Sequence, residues 1–251
     1  MIKLHILVFA VAFSAGAAAQ SRTPSRAIAH VRGDVYTATE DGHTTVFVVT
    51  NDGIVVVDPL NASFGRWLAA ELKTQFPDRP IKYIVYSRFD FDRIGGAGVL
   101  AARSEIIAHR TIDARLSQGA RHTLPRRYAA VDFNQNGMLE QDEADAAEEP
   151  DLIPRLDHNH DGHVSAEESW SETPGPRRTF TTRYTIDSGG KIIELLYLGA
   201  EQSGATAIYL PDQRLIFAAE LPQKTHSFLR VILRFTNQAF VHDVGNVPTA
   251  C

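Results

Sequence analysis

Two segments of this 251-residue chain place oxygen-bearing side chains at alternate positions, the spacing that a chain needs to wrap a hard cation. They read Asp132-Phe133-Asn134-Gln135-Asn136-Gly137-Met138-Leu139-Glu140-Gln141-Asp142-Glu143 and Asp157-His158-Asn159-His160-Asp161-Gly162-His163-Val164-Ser165-Ala166-Glu167-Glu168. In each, oxygens fall at the first, third and fifth places, Gly at the sixth permits a sharp bend, and an apolar residue stands eighth. The closing Glu can offer both carboxylate oxygens, so the set suits Ca²⁺, which takes about six to eight oxygens. A solvated acidic loop has the same composition, but the duplication of the pattern favours the cation.

These segments resemble the calcium loops of the EF-hand family. The resemblance implies ligation by the side chains of Asp132, Asn134, Asn136 and Glu143, by the Met138 carbonyl, and by a water held by Glu140. In the second loop it implies Asp157, Asn159, Asp161 and Glu168, the His163 carbonyl and Ser165. Three direct carboxylates against two predict tighter binding by the second loop. Loop starts lie 25 residues apart, and the connector 144–156 contains Pro150 and Pro154, so two full helices do not fit between them. A compact pair with abbreviated helices is expected, stapling an insertion rather than opening a target groove. His158, His160 and His163 occupy non-ligand or carbonyl-ligand places and read as exposed side chains rather than a separate metal site.

A second run, Tyr86-Ser87-Arg88-Phe89-Asp90-Phe91-Asp92-Arg93-Ile94-Gly95-Gly96, follows a buried strand and precedes a helix. It is similar to the His-x-His-x-Asp-His signature of the metallo-β-lactamase fold. Asp58 at a strand end, Ile107-Ala108-His109, Tyr197-Leu198-Gly199, Gly204, Tyr209-Leu210-Pro211 and Phe217-Ala218-Ala219-Glu220-Leu221 extend the resemblance over residues 30–120 and 177–228. It implies an α/β (α+β) fold, an αββα sandwich carrying the loop pair as an insertion. The ligands depart from the family: Arg88, Asp90, Asp92 and Arg93 replace His, His, Asp and His, Glu201 replaces the next His, and Glu220 the bridging Asp. Arginine has no lone pair to donate, so zinc is not expected.

Two readings of this pocket follow. In one, Arg88 and Arg93 neutralise Asp90, Asp92, Glu201 and Glu220 without a metal; in the other, the carboxylates hold Mg²⁺, Mn²⁺ or Ca²⁺. The first makes the chain a calcium-binding pseudoenzyme. The second fits a hydrolase in which Asp92 or Glu220 activates water and Arg88 or Arg93 holds an anionic substrate. Ser87 and Ser203 lack a nucleophile elbow and read as pocket or turn residues. No catalytic residue is assigned. The tail 230–251 lacks the family's closing ligand loop, so either an abbreviated C-terminal part or a tail that folds differently is expected.

The elements that position these residues are legible in the pattern. The β-branched runs 44–49 and 54–57, parted by Asn51-Asp52-Gly53, predict a hairpin; 64–76 has helical spacing; 81–86 and 105–108 read as strands, and 111–118 as a helix. Gly95-Gly96 opens a further short helix. Strands are expected at 179–186, 191–198, 205–210 and 214–219.

Charge marks the boundaries. Between Asp132 and Glu172 stand 13 acids against the single base Arg155, a formal −12 inside a chain of −5. The net negative charge argues against nucleic-acid binding. Residues 1–19 combine a short basic start, an apolar run and an Ala-x-Ala site, the form of a signal peptide, so export to the periplasm or beyond is expected, with no membrane span after its removal. Domain limits are then 20–122 and 177–251 for the host and 123–176 for the insertion. The one cysteine, Cys251, excludes an internal disulfide. The partners implied are calcium and an unidentified protein or small-molecule ligand.

Overall fold

The computed structural model describes residues 24–147, 149–199, 201–219 and 240–242. Residues 1–19, where a signal peptide is expected, and Glu220 therefore lie outside the described residues. Along the chain run β1 (Arg26–Arg32), β2 (Val35–Glu40), β3 (His43–Thr50), β4 (Gly53–Val57), α1 (Ala62–Gln75), β5 (Ile81–Tyr86), α2 (Phe91–Ile94), α3 (Ala97–Leu100), β6 (Glu105–His109) and α4 (Arg110–Ser117). Residues 123–176, the expected insertion, contribute α5 (Arg126–Ala129), β7 (Met138–Leu139), α6 (Gln141–Ala146), α7 (Leu152–Leu156), β8 (Val164–Ser165) and α8 (Ala166–Ser169). There follow β9 (Arg178–Phe180), β10 (Arg183–Ser188), β11 (Lys191–Tyr197), β12 (Thr206–Leu210), β13 (Leu215–Ala218) and β14 (Phe240–His242).

The first sheet has the order β1-β2-β3-β4-β5-β6-β9, antiparallel as far as β4 and parallel from β4 to β9. The second has the order β10-β11-β12-β13-β14, with only β13 and β14 parallel. One core lies between the sheets: Val46, Val48, Val55, Val57, Val85 and Ile107 face Ile186, Ile193, Leu195, Ile208 and Phe217. The other face of the first sheet presents Phe47, Ile54, Val56, Ile84, Tyr86 and Ile106 to the apolar sides of α1, α2 and α4. Strands covered on both faces explain the unbroken apolar runs of β4 and of residues 83–86 in β5. Helix α1 starts where the Asn61 side chain accepts the Phe64 N–H at 2.9 Å, and it buries Phe64, Leu68 and Leu72, each stabilising by about 1.5–3 kcal/mol.

Two expectations need correction. The strand expected over 179–186 is two strands: β9 joins the first sheet beside β6, Thr181 and Thr182 turn the chain, and β10 opens the second sheet. Strands β1 and β2 were not expected; β1 is a largely exposed edge with weak alternation.

Candidate functional site

The loop after β5 is built on Asp58, a fully buried carboxylate in the left-handed region (φ 45°) just past β4. It accepts the Ser87 N–H at 2.7 Å and the Ser87 hydroxyl, and its backbone N–H donates to the Val85 carbonyl at 2.9 Å. Arg93, only 7% exposed, lies with Nη1 at 3.6 Å from Asp58 Oδ2. Burial pushes the Asp58 carboxyl up, against the pull of Arg93 and the Ser87 hydrogen bonds. The expected cluster is thus redistributed. Arg93 turns inward to Asp58, which pattern reading left out of the charge set, while Arg88 pairs with Asp90. Asp90 also caps α2, accepting the Asp92 N–H at 3.2 Å. Asp92 is exposed at its surface yet backed by packed protein; desolvation first, then the Asp90 carboxylate, raise its proton affinity against the pull of Arg127, His43 and Arg126. Glu201 is exposed.

The Gly-Gly pair closes this loop tightly. A Cβ on Gly96 would stand 2.5 Å from the Pro59 carbonyl oxygen and 2.3 Å from that of Asn61, and the Gly96 N–H donates to the Leu60 carbonyl at 2.7 Å. The loop is locked on its other side by the Phe89 N–H on the Ser203 carbonyl and the Thr206 N–H on the Ser87 carbonyl. Ser87 is buried and committed to Asp58, consistent with a structural reading.

Zinc, the metal this fold family implies, does not fit these residues. The guanidinium groups of Arg88 and Arg93 stand where imidazoles would be needed, each against a carboxylate, and a cation cannot ligate a cation.

In the insertion the two twelve-residue loops adopt matching backbones. Their fourth residues, Gln135 and His160, have φ of 57° and 61°, and their sixth, Gly137 and Gly162, 78° and 87°. The first oxygens accept equivalent N–H groups: Asp132 from Asn136 and Gly137, and Asp157 from Asp161 and Gly162, at 2.9–3.2 Å. Asn134 and Asn159 each accept the N–H two residues on, at 2.9 Å. The Met138 and His163 N–H groups donate to Asn136 and Asp161 at 2.8 and 3.0 Å. Glu143 and Glu168 reach back over the loop starts, accepting the Phe133 N–H at 2.8 Å and the His158 N–H at 3.0 Å. The eighth residues, buried Leu139 and Val164, pair in the antiparallel ribbon β7–β8. Around them Tyr128, Ala144, Leu152 and Leu156 form a small core of their own. Helices α6 and α7 are abbreviated, as Pro150 and Pro154 predict.

Burial opposes ionisation of Asp157, but N–H donors from Gly162, His160 and Asp161 hold its carboxyl below the usual range; Glu168 is likewise lowered, by Ser165 and His158. Burial raises the Glu143 carboxyl. Among the described residues no three His, Cys, Asp or Glu side chains converge closely enough to hold an ion, the carboxylates of the second loop included; their oxygens are engaged with backbone N–H groups. His163 Nδ1 lies 3.5 Å from Glu140 of the other loop.

Sequence reasoning missed the rings that join insertion and host. Trp170 stacks on Phe89 with centroids 5.8 Å apart and meets the edge of Phe91 at 5.0 Å; Tyr128 meets Phe91 at 5.4 Å. Their available signal was position: Trp170 stands just past the second loop, and Phe89 and Phe91 alternate with the charged residues.

The family model of the metallo-beta-lactamase superfamily matches residues 38–221. The 2,4-dinitroanisole O-demethylase subunit alpha of Nocardioides sp. (strain JS1661) is 23% identical over 200 residues, 78% of this chain and 46% of that protein, so the chain spans about half the length of this curated relative. Among solved structures, a metallo-beta-lactamase from Pontibacter korlensis is similar with a TM-score of 0.54 at 16% identity, covering 87% of this chain and 90% of that one. A Cronobacter sakazakii (Enterobacter sakazakii) metallo-beta-lactamase with a HARLDQ motif has a TM-score of 0.52 at 15% identity, covering 86% and 80%. These structures share the fold.

Proposed function

We propose that this chain, which belongs to the metallo-beta-lactamase superfamily, binds two calcium ions at the loops 132–143 and 157–168 and uses them to staple the insertion onto its host. The direct ligands are Asp132, Asn134, Asn136, the Met138 carbonyl and Glu143 in one loop, and Asp157, Asn159, Asp161, the His163 carbonyl and Glu168 in the other. The observation that carries the reading is the duplicated backbone: two loops of different sequence share left-handed residues at their fourth and sixth places and are tied by one short ribbon that buries Leu139 and Val164. On ligation the carboxylates exchange N–H donors for the cation. In an exported protein, sites with dissociation constants of about 10⁻⁴–10⁻³ M stay filled. The pocket after β5 is read as a binding or structural remnant in which Arg88–Asp90 and Arg93–Asp58 replace a metal centre.

Metal content by mass spectrometry on protein dialysed against calcium and trace zinc tests this. About two calcium per chain, lost in an Asp132→Ala, Asp157→Ala double variant, is the expected result. Stoichiometric zinc or manganese that survives the double variant overturns it.

A second reading, a hydrolase rebuilt around carboxylate and arginine, is favoured by one observation: the raised proton affinity of Asp92 beside Asp90. Turnover that falls in Asp92→Asn and is lost in chelator would support it. The substrate screen would include aryl methyl ethers, the bond class named in the curated relative.

A further inference from the structure

We propose that calcium in the loop 157–168 fixes the conformation of the Arg88–Arg93 segment, with Trp170 as the positioning residue between them. The inference rests on the calcium reading above.

The segment divides its labour by alternation. Arg88, Asp90 and Asp92 carry the charge, while Phe89 and Phe91 between them pack against the insertion. Phe89 and Trp170 lie nearly parallel, 17° apart, and Phe91 stands at 78° to Trp170 and 63° to Tyr128. Trp170 follows Glu168, the last ligand of the second loop, by two residues, and the one-turn helix α8 joins them. Tyr128 precedes Asp132 by four. Both rings are buried and both meet Phe91, so movement at either loop flank is delivered to that ring, and from Trp170 to Phe89 as well.

The path has little slack. Trp170 Nε1 donates to the Thr123 carbonyl at 2.9 Å, and its backbone N–H to Glu167 at 3.2 Å. Beyond it, Arg121 Nη2 donates to the Thr173 carbonyl at 2.8 Å, the Gly98 N–H to the Glu172 carbonyl at 2.7 Å, and the Tyr86 hydroxyl to the Pro174 carbonyl at 2.8 Å. A Glu168 drawn onto a cation therefore shifts Trp170 against the fixed segment 172–174, and the displacement falls on Phe89. Any ligand that favours the ordered pocket must by linkage tighten calcium by the same factor.

Hydrogen exchange of the full chain, read by mass spectrometry with calcium and with chelator, tests the coupling. Peptides covering 87–96 should exchange more slowly with calcium. The slowing should reach about 100-fold when calcium is a hundred times its dissociation constant, the limit for an opening that releases one ion. Peptides from β10 and β11, remote from the insertion, should not change. Trp170→Phe keeps a ring and should keep the effect; Trp170→Ala should bind calcium by calorimetry and lose it; Glu168→Gln should lose both. Phe89→Ala reads the same contact from the host side should Trp170→Ala fail to fold. Bound calcium with unchanged exchange at 87–96, or protection surviving in Trp170→Ala and Phe89→Ala, overturns the coupling and leaves the calcium reading standing. Absence of calcium binding in the parent chain overturns both.

Discussion

Asp58 is a carboxylate enclosed without solvent, and its cost is partly offset by two hydrogen bonds from Ser87 and the nearby Arg93 guanidinium. Burial dominates and raises its proton affinity above the ordinary value of 3.8. The folded state therefore holds this proton where the unfolded chain has released it, and stability is lost as pH rises from 3.8 through the folded value. Each tenfold gain in proton affinity on folding corresponds to about 1.4 kcal/mol. Asp58→Asn removes the titration, so the unfolding free energy of the parent relative to the variant should fall over the pH range that rises from the ordinary value of 3.8, measured by urea denaturation. Parallel curves across that range would sink the assignment. In the sequence, Asp58 was legible as a strand end because it breaks the apolar run of β4. Its pairing with Arg93, 35 residues away, was not, since spacing gives no information on which way a loop side chain turns.

Between the elements, α3 and the turn after α8 approach tightly. A Cβ at Gly98 would stand 2.4 Å from the Glu172 carbonyl oxygen, inside any real contact distance and against backbone that cannot swing aside. Gly98→Ala should destabilise by about 1–3 kcal/mol, the ordinary cost of forcing atoms into a filled space, read as a lower urea midpoint at unchanged slope. A variant as stable as the parent would show that the turn yields. This contact could not be read from the sequence, because it joins residues 74 positions apart. What local pattern does specify came through: β5 spans Ile81–Tyr86 as its apolar run predicts, and the hairpin turns at Asn51-Asp52-Gly53. The pattern failed where the solvent and sheet contexts override it. Thr179 to Ile186 is continuously β-forming, yet it is shared between two sheets, since only the sheet partners on either side decide where the bend falls.

Across the whole molecule, charge is segregated: 13 acids and one base lie between Asp132 and Glu172, in a chain whose total is −5. Concentrated like charge opposes compaction, and the opposition is screened as the Debye length shrinks from about 30 Å at 0.01 M salt to about 8 Å at 0.15 M. Two bound calcium ions would offset about four of these charges, with oxygen ligands saturated by the dication rather than repelling one another. Thermal stability in chelator should therefore climb with sodium chloride over that range, by about 2–4 °C for each kcal/mol of repulsion relieved, whereas the calcium-loaded protein should be nearly insensitive. Equal salt slopes in the two states, followed by differential scanning calorimetry, would mean that the carboxylates of the insertion are neutralised from within. Arg155 is the internal candidate, since it already pairs with Glu149 at 2.8 Å and with Glu172. One guanidinium against so many carboxylates leaves most of the charge for the cations to offset, which makes the salt slope a direct measure of whether they are bound.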